Sequence, residues 1–173
     1  MKEGWDEERM TVLPEKTTTA AMEAAEKYPD KRLLVHYIQP HYPFIIDDHG
    51  SKPFDPDQAF FKPDEAGSWN QLLTGNLRVP AEAVWQAYRD NLDRAVPHVA
   101  DLLTDLNGKS VVSAGHGNMV GDRAPPFPIR EWGHPRGIYT EQLVKVPWLI
   151  VPSERREIAD EHPERNRSRQ RTR

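Results

Sequence analysis

Cysteine is absent from the 173 residues. That removes disulfide frameworks, cysteine-rich zinc sites and thiol nucleophiles together, so any nucleophile must be oxygen or water. No apolar run approaches the roughly 18 residues a membrane helix needs. The acidic start, Met1 to Met10, has no apolar stretch behind it to act as a signal peptide, which makes a soluble cytoplasmic protein the expectation. Charge of one sign is lacking too. With 23 Lys+Arg against 27 Asp+Glu the formal charge is -4, which fits neither a polyacidic chain nor a wholly basic nucleic-acid binder. Aromatic residues make up 9% and the mean hydropathy is -0.78, as in a chain sized for one domain.

Proline is plentiful, 16 against 10 Gly, and several prolines sit inside apolar segments where they end or bend an element. The polar segment 1–31 holds a helical stretch near Thr17 to Lys27, whose alanines give a thin apolar face. Leu33-Leu34-Val35-His36-Tyr37-Ile38 reads as a buried strand stopped by Pro40. Gln39 to Phe44 reads as an extended loop, because Pro40 and Pro43 each restrict the residue before them. Ile45 to Arg78 is loop-like and long enough to carry function. The clearest helix runs from about Pro80 to Leu106, with Val84, Tyr88, Leu92, Val96, Val99 and Leu103 at three- and four-residue spacing and Pro97 expected to kink it. Asn107-Gly108 stops it. Lys109 to Ala114 reads as a second buried strand, and Val146 to Val151 as a last strand with Pro147 at its entry. A proline- and glycine-rich loop is expected between Gly115 and Pro135.

Strand, helix and strand in this order predict an α/β layer structure with a mostly parallel sheet flanked by helices, covering 32–152. A charged tail follows over 153–173. Its last nine positions hold five Arg and no apolar residue, a disordered composition able to give only weak, sequence-independent attachment to nucleic acid.

Seven His residues occur, and His41, His116 and His134 follow strands or lie in the loops just beyond them. Ligand sites of open α/β sheets form outside the carboxyl ends of strands, so these three could converge. Gly115 and Gly117 allow close backbone approach around His116, suiting a side chain presented to a metal or an oxyanion; a plain tight turn is the alternative. For His134 the alternative is a Gly-His-Pro turn residue. Trp69, Trp85, Trp132 and Trp148 read as core residues.

The stretch Ser113-Ala114-Gly115-His116-Gly117-Asn118-Met119-Val120-Gly121-Asp122 resembles the strand-to-loop motif of sulfatases and the wider alkaline phosphatase superfamily. Val35 to Phe44 looks like that family's upstream strand ending in a Pro-His-x-Pro element. The helix with Tyr88-Arg89-Asp90-Asn91-Leu92-Asp93 resembles the helix between the two motifs. Gly133-His134-Pro135 followed by Leu143 to Trp148 resembles the family's closing loop and Val-Pro strand. The match runs from about Arg32 to Val151 and is most like archaeal-type sulfatase-like proteins, in their carboxy-terminal region.

The resemblance implies metal-dependent hydrolysis of a sulfate or phosphate ester, with a divalent metal (Ca, Mg, Mn or Zn) and cationic or imidazole donors around the transferred group. It makes His116 a metal ligand and His41 a substrate contact, and it assigns His134 more loosely to the same anionic group. Two departures stand against activity. Gly115 occupies the place of a metal-binding Asp, and no Ser or Thr is followed by Pro and Arg at the spacing of the family's nucleophile segment. Asp122, or Asp47 and Asp48, could substitute as ligands, although acids in polar loops ordinarily cap or form turns. The expectation is therefore a truncated or degenerate hydrolase, inactive as a lone chain and with no catalytic residue assigned. The alternative is a noncatalytic interaction protein on the same scaffold, associating with itself or with a separate amino-terminal half.

Overall fold

A computed structural model describes residues 4–45, 68–75, 78–126, 128–154 and 157–158. The expected features at Asp47, Asp48 and the arginine tail lie outside them. In chain order the elements are β1 (Trp5–Asp6), β2 (Thr11–Val12), α1 (Pro14–Lys27), α2 (Ser68–Thr74), α3 (Ala81–Asp105), β3 (Ser110–Ser113), β4 (Met119–Ala124), β5 (Ile129–Gly133), α4 (Glu141–Val144) and β6 (Trp148–Val151). The fold is mixed α/β.

α1 starts one turn earlier than expected, with Pro14 in its first turn, where the missing N–H costs nothing. α3 matches the expected long helix and runs through Pro97. Its buried stripe is Val84, Ala87, Asn91, Ala95 and Leu102, however, while Leu92 and Val96 face outward. Small residues on the inner face let α1 and α3 lie close. Thr18 of α1 fixes that contact, donating to the His98 carbonyl at 3.1 Å and accepting from the Tyr37 hydroxyl at 2.6 Å.

The sheet expectation requires correction. All three described ladders are two-stranded and antiparallel, β1 with β2, β3 with β6 and β4 with β5, and no parallel ladder occurs among the described residues. Residues 33–38 form no ladder either. They are fastened through side chains, Tyr37 to Thr18 and Gln39 to Thr11 and the Val12 carbonyl, while Leu34 is 98% exposed. The stretch read as a loop after His116 instead contains the β4–β5 hairpin. Gly121, at φ +76°, makes a bulge in it where the register shifts between Val120 and Asp122.

The main core gathers Phe44, Leu72, Val79, Val84, Ala87 and Val120, with Trp69, Trp85 and Trp132 packed against it as expected. A smaller cluster joins Met119 and Ala124 of β4 to Leu143 of α4. Trp148 does not belong to either core: it is 69% exposed on β6.

Candidate functional site

Three separate devices bring three imidazoles together. The first is Asn91, fully buried on α3. Its Oδ1 accepts from the Ile45 backbone N–H at 2.9 Å, and its Nδ2 faces the carbonyls of His41 at 3.2 Å and Pro43 at 3.3 Å. Prolines supply no N–H and their loop carbonyls have no ladder, so one amide side chain satisfies a backbone that would otherwise be buried without partners. His41 is thereby fixed between its two prolines.

The second device is Gly117. Its N–H donates to the Leu143 carbonyl at 2.9 Å, and a Cβ at this position would collide with the backbone carbonyl of Gln142. Close backbone approach to α4 is what this glycine permits, and the docked loop carries His116. Gly115, on the other side, has open space where a Cβ would stand. The third is Gly133, at φ +72°, where a Cβ would lie 2.8 Å from the Trp69 ring; the chain turns there and presents His134.

The rings converge. The Nε2 atoms of His41 and His134 are 3.1 Å apart, across 93 residues of sequence. Ring centroids lie 4.3 Å apart for His116 and His134, 5.3 Å for His41 and His134, and 6.2 Å for His41 and His116. His41 Nδ1 bonds the Tyr42 carbonyl, and His116 Nδ1 bonds the Gly117 carbonyl at 2.8 Å. A carbonyl only accepts, so both Nδ1 atoms carry hydrogen and both Nε2 atoms are bare in the neutral rings. His134 Nε2 then donates to His41 Nε2. Partial burial, followed by the neighbouring His116 and His41, holds the His134 pKa below the usual imidazole value.

Among the described residues the donor set is imidazole alone. Gly115 contributes no carboxylate, and Asp122 turns its Oδ2 back to the Val120 N–H at 2.9 Å, serving the bulge. Among the described residues, no group of three or more His, Asp or Glu is placed to hold a metal ion. The residues present therefore do not fit the oxygen-rich coordination that Ca or Mg requires. What the arrangement offers chemically is a cluster of rings that gain N–H donors and positive charge when protonated, open to solvent at His116 and His134.

The juxtaposition of His41, His116 and His134 was approachable from their expected places just beyond apolar segments; Asn91 was not singled out, although an Asn at a seven-residue interval from the buried Val84 was the available signal. Family models, curated proteins and solved structures were compared with the chain, and none matches it. Among the described residues, no helix is long and apolar enough to cross a membrane.

Proposed function

We propose that this chain is a sulfatase-like, alkaline phosphatase superfamily carboxy-terminal region that binds the anionic group of a sulfate or phosphate ester at His41, His116 and His134 and does not hydrolyse it as a lone chain. The observation that carries the reading is the convergence of these three rings from the three segments that bear the family's motifs. Partial burial, and then the neighbouring His116 and His41, discourage protonation of His134, and a bound anion offsets this while accepting from the imidazole N–H donors. Sulfate and phosphate esters have this chemistry.

Hydrolysis needs more than charge neutralisation. The family's metal would supply an activated nucleophile and a Lewis acid. In this reading, the carboxylates and the nucleophile lie outside these 173 residues, in chain that would also complete the layered, mostly parallel sheet alongside residues 33–38. The proposed setting is the cytoplasm.

The test is isothermal titration with sulfate, phosphate and tungstate, with turnover of nitrophenyl sulfate and phosphate measured in Mn, Ca, Mg and Zn. Binding that is lost in His41→Gln and His134→Gln, without turnover, is the expected result. Binding unaltered in both variants overturns it.

A noncatalytic interaction protein is the second reading, and a particular surface favours it. The β3–β6 ladder exposes Val111, Trp148, Leu149 and Ile150 by 44%, 69%, 54% and 48%, a cluster of apolar side chains that water does not favour. Light scattering after gel filtration tests it: a mass above the 19.9 kDa chain supports self-association. A strict monomer that captures no amino-terminal sulfatase half removes this reading.

A further inference from the structure

A second cleft lies between α2 and β5. It has a volume of about 520 Å³ and is lined by Leu72, Leu73, Val79, Pro80 and Trp132, with Arg78 and Arg130 among the walls. Leu72 and Val79 are buried in its floor. Among the described residues no Asp or Glu lines it, although acidic residues outnumber basic ones in the chain as a whole. Two arginines thus stand at an apolar cleft with no carboxylate among its described lining residues, against the sign of the protein's net charge.

Arg130 is held in place. Its Nη1 donates at 3.0 Å to the carbonyl of Gly121, the bulge residue at φ +76°. A Cβ on Gly121 would sit 3.2 Å from the Trp132 indole and 3.6 Å from Arg130 Nη1, so the glycine is what lets the indole and the guanidinium lie over the same backbone. The remaining Arg130 N–H groups have no partner among the described residues. Arg78 is exposed and makes no ion pair or side-chain hydrogen bond among the described residues. Neither arginine is used by the histidine cluster.

We infer that this cleft binds a small aromatic acid, its ring against Trp132 and the leucines and its single oxyanion head on Arg78 and Arg130. A flat apolar body suits the floor, and a planar guanidinium matches a carboxylate, sulfonate or phosphate edge. Both halves of the ligand are needed: water competes for the head alone, and the apolar body alone leaves the arginines unpaired.

The probe is naphthalene-2-sulfonate, followed by saturable quenching of tryptophan fluorescence, with neutral 2-naphthol as the comparison. The sulfonate saturates and the naphthol binds at least about tenfold more weakly. Arg78→Gln and Arg130→Gln each weaken the sulfonate about tenfold, the scale of one lost charge-assisted pair. Trp132→Phe removes most of the quench and weakens the sulfonate, locating the ring, and circular dichroism confirms that each variant is folded. His41→Gln with His134→Gln leaves the sulfonate affinity as it is. Equal binding of sulfonate and naphthol overturns the assignment, as does sulfonate affinity unchanged by both arginine variants. Loss in the histidine variants instead would place the anion on the imidazoles and overturn it too.

Discussion

The Asn91 region and the β3–β6 ladder treat their apolar side chains in opposite ways. Around Asn91, Val84 has no exposure, Phe44 and Leu72 are buried, and the carbonyls of Pro40, His41 and Pro43 face the same amide group. In the ladder, which is four paired residues long, Trp148 and Leu149 stand more than half exposed. An isolated two-stranded ladder is marginal in water. The comparison teaches that the histidine cluster rests on the self-sufficient part of the molecule, whereas the ladder is the part that gains from a cover.

The largest effect expected from breaking this contrast is at Asn91. Asn91→Asp keeps the acceptor for Ile45 but turns a second acceptor toward the carbonyls of His41 and Pro43, so urea denaturation should show a loss of about 3 kcal/mol. Next comes Gly117→Ala, which forces the His116 loop away from α4 and should cost about 2 kcal/mol in the same measurement. A change under ~0.5 kcal/mol at either position would mean that the loops are not held as described.

The pH response sharpens the comparison further. His134 binds a proton less readily in the folded protein than in the unfolded chain. Its contribution is therefore complete above the unfolded value of 6.5 and is lost as the pH falls below it, because the unfolded state takes up the proton first. Denaturant midpoints should fall between pH 7 and pH 5.5, about the span over which an imidazole titrates, and His134→Gln should flatten that fall. Anion affinity should change in the opposite sense and strengthen as the pH drops, with His41 and His116 facing the same ring.

The smallest effects belong to open positions. Leu149→Ser on the ladder should alter stability by under about 0.5 kcal/mol while lowering any apparent mass above the monomer. Gly115→Asp should be equally mild, since a Cβ there meets nothing, and it adds a carboxylate beside His116. Titration calorimetry with Mn should then show a higher affinity than that of the natural chain; no gain would count against the proposed metal-site ancestry of the imidazole cluster.

Legibility in the sequence followed local patterning. α1 and α3 were readable from alanine content, apolar spacing and helix-start prolines, because a helix forms from nearby residues. The face of α3 was harder to place: Ala87 and Ala95 pack inside because they are small, and Leu92 and Val96 stay out, so hydrophobicity pointed one position away from burial. The β4–β5 hairpin was hidden by Gly121, whose bulge breaks the two-residue alternation, and by the prolines between its strands. Leu33 to Ile38 carries strand composition but finds no ladder partner among the described residues, since pairing depends on distant chain. The three histidines were legible as a set because each follows an apolar segment. Asn91 was illegible in its role, which exists only once the proline loop lies across α3.

Imidazole nitrogen NMR of the whole chain tests the central claim most directly, recorded without anion and through a phosphate titration at pH 6, just under the usual imidazole pKa of about 6.5. The account predicts hydrogen on Nδ1 of both His41 and His116, and one shared saturation curve for His41, His116 and His134 while His36 and His98 stay unmoved. Independent curves for the three rings, or equal response from His36 and His98, would contradict it.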